Sequence, residues 1–153
     1  MRVKIGYPSE EQEQRILEAG RAARTIPADT MPDVPPLDDL RTLVEQVRME
    51  GPVRRYVVAM ARATRDHADL QVGASPRAVE HMGDAARAWA FLAGRDYVLP
   101  DDVKELAGPV LAHRLVPTTD ARIRGRSADD VLDEVLEHLP VPVEWRRPAA
   151  AER

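Results

Sequence analysis

The amino-acid sequence predicts an all-α fold, a compact helical bundle in which any extended pieces are short. Apolar residues recur three or four positions apart in several segments, which is the spacing of an amphipathic helix. Hydrophobic residues make up 44% of the chain but aromatic residues only 4%, so aliphatic and methionine side chains must form the core. A length of 153 residues suits one domain with tails. Extended pieces are predicted near residues 2–7, 69–72 and 95–98.

The first eight residues are predicted to form a short strand that precedes the helical domain. Apolar residues alternate there with polar residues or glycine, and the apolar ones are Val3, Ile5 and Tyr7. The strand has no evident partner in the chain, and a single strand is unstable alone. We therefore expect this strand to be either disordered in this chain or paired through crystal or dimer contacts, and we assign the helical domain to residues 9–145.

The first helix of that domain is predicted to begin after Ser9, which forms a capping-box pattern with Gln12, and to continue to about residue 24. Its predicted inward residues are Ile16 and Leu17. A connector rich in proline follows in residues 25–36, because fixed φ angles and missing N–H donors exclude a helix there.

Two further helices are predicted before residue 66. Asp38 or Asp39 is expected to cap the first, and Gly51 and Pro52 end it and begin the second. The apolar stripe of the first is Leu40, Leu43, Val44 and Val47, and that of the second is Val53, Tyr56, Val57, Met60 and Ala61. Arginines on the rest of the second helix indicate either a solvated or subunit-contacting surface or a nucleic-acid face, and they are Arg54, Arg55, Arg62 and Arg65.

The central helix is predicted to begin at Pro76, with Ser75 as its cap, and to stop at Gly94. Its inward face is predicted as Val79, Met82, Ala86, Trp89, Ala90 and Ala93. Arg77 is a cation in the first turn, where the positive end of the helix dipole disfavours it. Two interpretations stay open: a solvated surface arginine, or a guanidinium that binds phosphate beside the free N–H groups of the helix start.

The C-terminal third is predicted to contain two more helices. Pro100 begins one, Asp101 and Asp102 lie in its first turn, and Gly108-Pro109 is expected to break or kink it. The inward residues of that helix are predicted as Val103, Leu106, Val110 and Leu111. His113 is interpreted as a helix-end residue that contacts free carbonyls.

The last helix is capped by Ser127 with Asp130 and ends at Pro140. Its predicted stripe is Val131, Leu132, Val135, Leu136 and Leu139. Residues 117–126 form a predicted loop whose alternating arginines either hold phosphates or form an exposed edge or oligomer surface, and these are Arg122, Arg124 and Arg126. Val141 to Val143 and Trp145 are expected to dock as an extended tail, and residues 146–153 to be disordered.

Several motifs together resemble the C-terminal lid of MoxR-type AAA+ ATPases. They are Gly73-Ala-Ser-Pro-Arg-Ala78, Ala85-Ala-Arg-Ala-Trp-Ala90, Gly94-Arg-Asp-Tyr-Val98, Pro100-Asp-Asp-Val103 and Val110-Leu-Ala-His-Arg-Leu115. The resemblance extends to Arg2-Val-Lys-Ile-Gly-Tyr-Pro8 with Glu10 and Glu11, which looks like the last core strand and the hinge. One departure is Leu99, where the family usually has a threonine cap, so Asp101 and Asp102 are expected to compensate.

The resemblance implies roles for individual residues. Arg77 would be the sensor 2 residue, which reaches the terminal phosphate of a nucleotide held by the core domain. Ser75 and Pro76 would lie beside that phosphate, and Tyr7 and Pro8 at the adenine side of the pocket, although Tyr7 is equally explained as the last apolar residue of a strand. Met1 would correspond to an internal position of a longer ATPase.

The same resemblance implies cofactors and partners. ATP and Mg²⁺ would be bound in the complete protein, whereas this chain alone is expected to be inactive and to bind neither tightly. The implied partners are an AAA+ core domain, the other subunits of a ring, usually a hexamer, and a von Willebrand A domain protein. The implied activity is ATP hydrolysis coupled to chaperone-like remodelling of client proteins. No Gly-x-x-x-x-Gly-Lys-Ser/Thr phosphate loop is present in these residues.

Composition argues against other classes of function. The net charge of -4 disfavours a general nucleic-acid binder, although the exposed arginines keep that as the weakest alternative. The chain has no cysteine, and no apolar run approaches the roughly 20 residues that span a bilayer, so a cytoplasmic location and no membrane partner are expected. No metal-ligand cluster or nucleophile elbow is evident. The second hypothesis is a stand-alone helical protein-interaction module without nucleotide chemistry.

Overall fold

The fold is all-α, as predicted, in a computed structural model that describes residues 1–3, 5–19 and 35–142. Seven α-helices lie within these residues: α1 (Glu10–Ala19), α2 (Leu37–Glu45), α3 (Gly51–Arg65), α4 (Pro76–Leu92), α5 (Pro100–Leu111), α6 (Thr119–Ile123) and α7 (Ala128–His138). Two short strands, β1 (Leu70–Val72) and β2 (Val116–Pro117), and a 3-10 turn at Ala112–Arg114 complete the described elements.

Helix α4 lies at the centre of the bundle because apolar residues cover much of its length. It packs against α2, α3 and α5, while α7 closes the far side against α3 and α5. The side chains of Ala78, Met82, Ala86 and Ala90 are fully buried along α4. Small alanines at three of these four positions let neighbouring helices approach closely, and larger residues such as Met60 and Leu111 fill the remaining space.

The two strands form an antiparallel pair that joins the segment before α4 to the segment before α6. Leu70 lies opposite Pro117, and Val72 lies opposite Val116. The piece predicted near residues 95–98 makes one parallel bridge, between Arg48 and Tyr97. Of the three extended pieces predicted, those near 69–72 and 95–98 are therefore present.

Most of the predicted helix signals are confirmed. Ser9 and Gln12 form their capping box, and so do Ser127 and Asp130. Gly94 adopts the left-handed conformation (φ 71°) that ends α4, and the N–H of Arg95 donates to the Ala90 carbonyl. All predicted inward residues of α3 are buried, as are the four predicted for α5. Leu99 lacks a capping side chain, and the carboxylate of Asp102 accepts from its N–H at 2.7 Å.

The N-terminal predictions were partly wrong. Residues 1–3 and 5–9 form no strand, because no other described segment offers them a ladder of hydrogen bonds. Ile16 and Leu17 were expected to face inward, but Leu17 is 82% exposed and α1 has no buried residue. Helix α1 has the amphipathic spacing without a packed neighbour among the described residues.

Two predictions in the helical body were wrong. Asp38 and Asp39 lie inside the first turn of α2 rather than capping it, and the cap position is held by Pro36. Helix α5 continues through Gly108 and Pro109 to Leu111. Proline leaves the Glu105 carbonyl without its helical donor, but Glu105 is exposed and water can replace that donor.

Other predicted inward or loop positions differ in detail. On α4, Trp89 is 38% exposed and Ala93 is exposed at the C-cap. Leu43 of α2 is also exposed. The predicted loop 117–126 contains the short helix α6, because Thr118 caps it by accepting from the Ala121 N–H.

Some predictions lie outside the described residues. These are residues 20–24 of the first helix, the connector up to residue 34, Val143 and Trp145 of the docked tail, and the disordered tail 146–153. The division into residues 1–8, 9–145 and 146–153 stays a prediction. No helix among the described residues is long and apolar enough to cross a membrane.

Candidate functional site

Arg77 lies in the first turn of α4 and its side chain extends into solvent. The residue is exposed, and no ion pair or side-chain hydrogen bond joins it to any described residue. First-turn N–H groups and the helix dipole make its surroundings electropositive. The guanidinium is therefore available to an anion from outside the described part of the chain.

Ser75 and Pro76 shape the start of α4 as predicted. The Ser75 hydroxyl accepts from the Ala78 N–H at 3.3 Å, and Pro76 occupies the first helical position. Both residues are exposed. Ser75, Pro76 and Arg77 thus lie together at one exposed corner of the bundle, formed by the N-terminal end of α4.

The backbone below this corner is fixed to the C-terminal end of α3. The hydroxyl of Thr64 accepts from the Ala74 N–H at 2.9 Å, and Nε of Arg65 donates to the Ala74 carbonyl at 2.7 Å. Both polar groups of Ala74, three residues before Arg77, are therefore bonded to α3. We call Thr64, Arg65, Gly73 and Ala74 the loop clamp.

Gly73 allows the backbone of the segment before α4 to pass close to the backbone at the C-terminal end of α3. A Cβ at this position would lie 2.6 Å from Cα of Arg65 and 2.7 Å from its backbone N. Real Cβ atoms do not approach backbone so closely, so only glycine fits without a backbone shift. The glycine of the Gly-Ala-Ser-Pro-Arg motif is thus explained by packing.

Sequence reasoning missed Thr64 and interpreted Arg65 only as one of the surface arginines of its helix. Their pairing with Ala74 spans about ten residues and a change of direction, which periodicity does not report. The available signal was Thr64 itself, a hydroxyl at the buried end of an apolar stripe, because a buried hydroxyl needs a partner.

Tyr7 and Pro8 are not brought into the corner that carries Arg77. Tyr7 is 100% exposed, so it packs against no other described residue, and Pro8 is exposed as well. The preceding residues contact α5 instead: the Arg2 N–H donates to the Pro109 carbonyl at 2.7 Å, and Arg2 and Trp89 of α4 line the same groove of about 680 Å³. Trp89 lies twelve residues after Arg77, about 18 Å along the helix. A role for Tyr7 and Pro8 at adenine stays a prediction.

The arginines of residues 122–126 contrast with Arg77, because two of them bind carboxylates. Arg124 and Arg126 both pair with Asp69, the latter at 3.0 Å, and Arg126 also pairs with Glu134. The hydrogen bond from Arg126 holds the pKa of the Glu134 carboxyl below its usual range. Within the described part of the chain, Arg122 makes only a long contact with Thr119, at 3.5 Å. Arg124 and Arg126 are thus engaged within the fold.

The other predicted candidates do not form a site. Arg54, Arg55 and Arg62 are exposed on α3, where acidic neighbours such as Glu50 and Asp66 lie close in sequence. Burial, together with the Arg114 charge, lowers the pKa of the His113 imidazole. Among the described residues no cluster of three or more histidine or acidic side chains could hold a metal ion.

Comparisons with known proteins agree with this architecture. Residues 62–135 match the AAA lid domain family. The chain is 33% identical over 146 residues to YeaC of Bacillus subtilis, covering 94% of this chain and 45% of that protein. It is 35% identical over 151 residues to chaperone MoxR1 of Mycobacterium tuberculosis, covering 92% of this chain and 40% of that protein.

A crystal structure of a candidate ATPase from Cytophaga hutchinsonii has the same fold. Its TM-score is 0.76 at 24% identity, over 90% of this chain and 44% of that one. The chain thus spans less than half the length of these relatives. The matched family, the relatives and the seven-helix architecture agree with one another. This chain therefore carries an AAA lid domain of the MoxR type.

Proposed function

We propose that this chain is the lid of a MoxR-type AAA+ ATPase and closes over ATP held by a core domain. Arg77 acts as the sensor 2 residue and contacts the terminal phosphate. The observation that carries the proposal is the state of Arg77: an exposed guanidinium, unpaired among the described residues, at the N-terminus of a 17-residue helix.

The chemistry of phosphoryl transfer explains why a guanidinium is needed there. Charge on the transferring phosphoryl group is stabilised by donors that are already oriented, and an arginine supplies a fork of N–H groups. Mg²⁺ and the phosphate loop would belong to the core domain. Ser75 and Pro76 contribute by starting α4 so that its free N–H groups face the same side as Arg77.

Loss of the terminal phosphate would remove the Arg77 contact and release the lid. Because α4 is packed against α2, α3 and α5, motion of Arg77 moves the bundle as a body. The relative named chaperone MoxR1 supports chaperone-like remodelling as the use of this motion. We extend the proposal to a ring of subunits, a hexamer by family resemblance, and to a von Willebrand A domain partner.

The test is ATP turnover in the ATPase that joins a core domain to this lid. Arg77→Ala is expected to lower kcat at least about a hundredfold, since one lost transition-state donor has effects of this size. Arg77→Lys keeps the charge but not the fork, so an intermediate loss is expected. Parent-like turnover in Arg77→Ala would remove the sensor role.

Arg62→Ala is the matched control because Arg62 is also an exposed helical arginine. It is expected to turn over ATP at the parent rate. For this chain alone we expect no measurable hydrolysis, and titration calorimetry with ATP and Mg²⁺ should detect at most feeble binding. Tight binding by the isolated chain would contradict a site shared with a core domain.

A further inference from the structure

We propose that Thr64 and Arg65 are positioning residues that set where Arg77 is held. The expected effect on ATP turnover rests on the proposed function, whereas the two hydrogen bonds of the loop clamp to Ala74 do not. Neither residue touches Arg77, and both act through the backbone of Ala74. Thr64 and Arg65 therefore affect the position and orientation of the Arg77 guanidinium, not its chemistry.

Thr64 has a fixed hydrogen-bonding role because its single hydroxyl proton is already used. The hydroxyl donates to the Ala61 carbonyl at 2.7 Å, so only its lone pairs face the Ala74 N–H. The residue is fully buried, and water cannot replace it as an acceptor. Removal of the hydroxyl would leave the Ala74 N–H without a partner in the protein interior.

Arg65 completes the loop clamp from the solvent side. Its Nε donates to the Ala74 carbonyl at 2.7 Å while the residue as a whole is exposed. A lysine has no donor at the position of Nε, so charge alone cannot replace this contact. The peptide groups on both sides of Ala74 are thus held by two consecutive residues of α3.

Few soft torsions separate the loop clamp from Arg77. Ala74 is followed by the cap Ser75 and then by Pro76, whose ring fixes φ. The helix begins at that proline, so the backbone of Arg77 is already helical. A shift of Ala74 is therefore passed to Arg77, and a misplacement of about 1 Å at a catalytic group can cost a hundredfold in rate.

The decisive experiment is a double-mutant cycle between Thr64→Val and Arg77→Ala, with ATP turnover measured in the ATPase that joins a core domain to this lid. Valine matches the shape of threonine but lacks the hydroxyl. We expect Thr64→Val to lower kcat about tenfold when Arg77 is present and to have no further effect in Arg77→Ala. Equal losses in both backgrounds, or no loss in either, would overturn the proposal.

Three control variants separate positioning from loss of stability. Thr64→Ser keeps the hydroxyl and should retain at least half of the parent kcat. Val57→Ala removes buried volume from the same helix without touching the loop, and Arg62→Ala removes an exposed arginine one turn before Arg65. Both should turn over ATP at the parent rate, whereas Arg65→Ala should lose several-fold. A loss in Val57→Ala equal to that in Thr64→Val would assign the effect to stability and overturn the proposal.

Hydrogen exchange in the 153-residue chain tests the loop clamp without ATP. We expect the Ala74 amide to exchange at least about tenfold faster in Thr64→Val than in the parent or in Thr64→Ser, because its acceptor is lost. Unchanged exchange would overturn the loop clamp. If Arg77→Ala has parent turnover, the proposed function fails and this measurement alone decides whether the loop clamp exists.

Discussion

Two arginine-bearing regions of this lid use the same residue type in opposite ways. Around Arg77 the backbone is held tightly by the loop clamp, and the side chain has no ion pair with a described residue. Around Arg126 the side chains are held, because Arg124 and Arg126 both reach the buried carboxylate of Asp69. The sequence alone does not distinguish these two regions, since each has arginines close to the start of a helix.

The difference indicates what each region does. Arginines that pair with a buried carboxylate such as that of Asp69 contribute to folding, because removing one partner of a buried ion pair is destabilising. Arg77 has no partner among the described residues and lies in the first turn of a helix whose start is held by the loop clamp, so it contributes little to folding and is preorganised for an external anion. The two regions should therefore separate in experiments on stability and on function.

Gly73→Ala should produce the largest effect on stability, in the region of Arg77. The new Cβ would clash with backbone atoms of Thr64 and Arg65 at 2.6 to 2.7 Å, and backbone cannot yield as a side chain does. We expect a loss of about 3 kcal/mol in the free energy of unfolding, measured by urea denaturation.

Gly108→Ala is the matched control for that substitution. Gly108 lies inside α5 and a Cβ there meets nothing within 4 Å. Alanine should stabilise the chain by about 0.5 to 1 kcal/mol through helix propensity. If both variants lose the same stability, the close approach at Gly73 is not what fixes the loop.

Asp69→Ala should have the second largest effect, in the region of Arg126. It leaves Arg124 and Arg126 without their shared carboxylate, and we expect a loss of about 2 kcal/mol in the free energy of unfolding. Arg77→Ala is the comparison variant and should stay within about 0.5 kcal/mol of the parent. A loss in Arg77→Ala as large as that in Asp69→Ala would mean that Arg77 has a structural role.

Local signals made much of the fold predictable. The Ser75 cap, the proline after it and the stop at Gly94 defined α4 correctly, because each acts through backbone groups a few residues away. The capping box of Ser127 and Asp130 likewise placed α7. A phosphate-binding role for Arg77 was predicted from the conflict of its charge with the helix dipole and from the family resemblance. In the structure Arg77 is exposed.

Longer-range relations were not predictable from these signals. Asp69 and Arg124 are 55 residues apart, and no local signal in the sequence linked them. Ile16 and Leu17 have helical spacing, but spacing does not say whether a neighbour covers them. Thr64 was passed over because a hydroxyl inside an apolar stripe gives no periodic signal.

The smallest effect predicted is a change in how stability depends on pH, and it distinguishes Arg126 from Arg77. Hydrogen bonds from Arg126 to Glu134, and from Ser127 to Asp130, lower the pKa values of both carboxyls below their ordinary 4.5 and 3.8. A carboxyl with a lowered pKa in the folded state stabilises that state above its unfolded pKa, and the contribution is lost as pH falls through the lower folded value.

The lowered pKa of His113 should make the urea midpoint of the parent decline as pH falls below the ordinary histidine value of 6.5, and the two carboxyls should add a further drop below the ordinary pKa of 4.5. Arg126→Ala returns the Glu134 pKa towards its ordinary value, so the drop between about pH 5 and about pH 3 should be smaller than in the parent. Arg77 has no such carboxylate partner among the described residues, so the Arg77→Ala variant should keep the full drop of the parent. Equal drops in all three proteins would show that the Arg126–Glu134 contact does not form in solution, and the contrast between the two arginine regions would then rest on Asp69 alone.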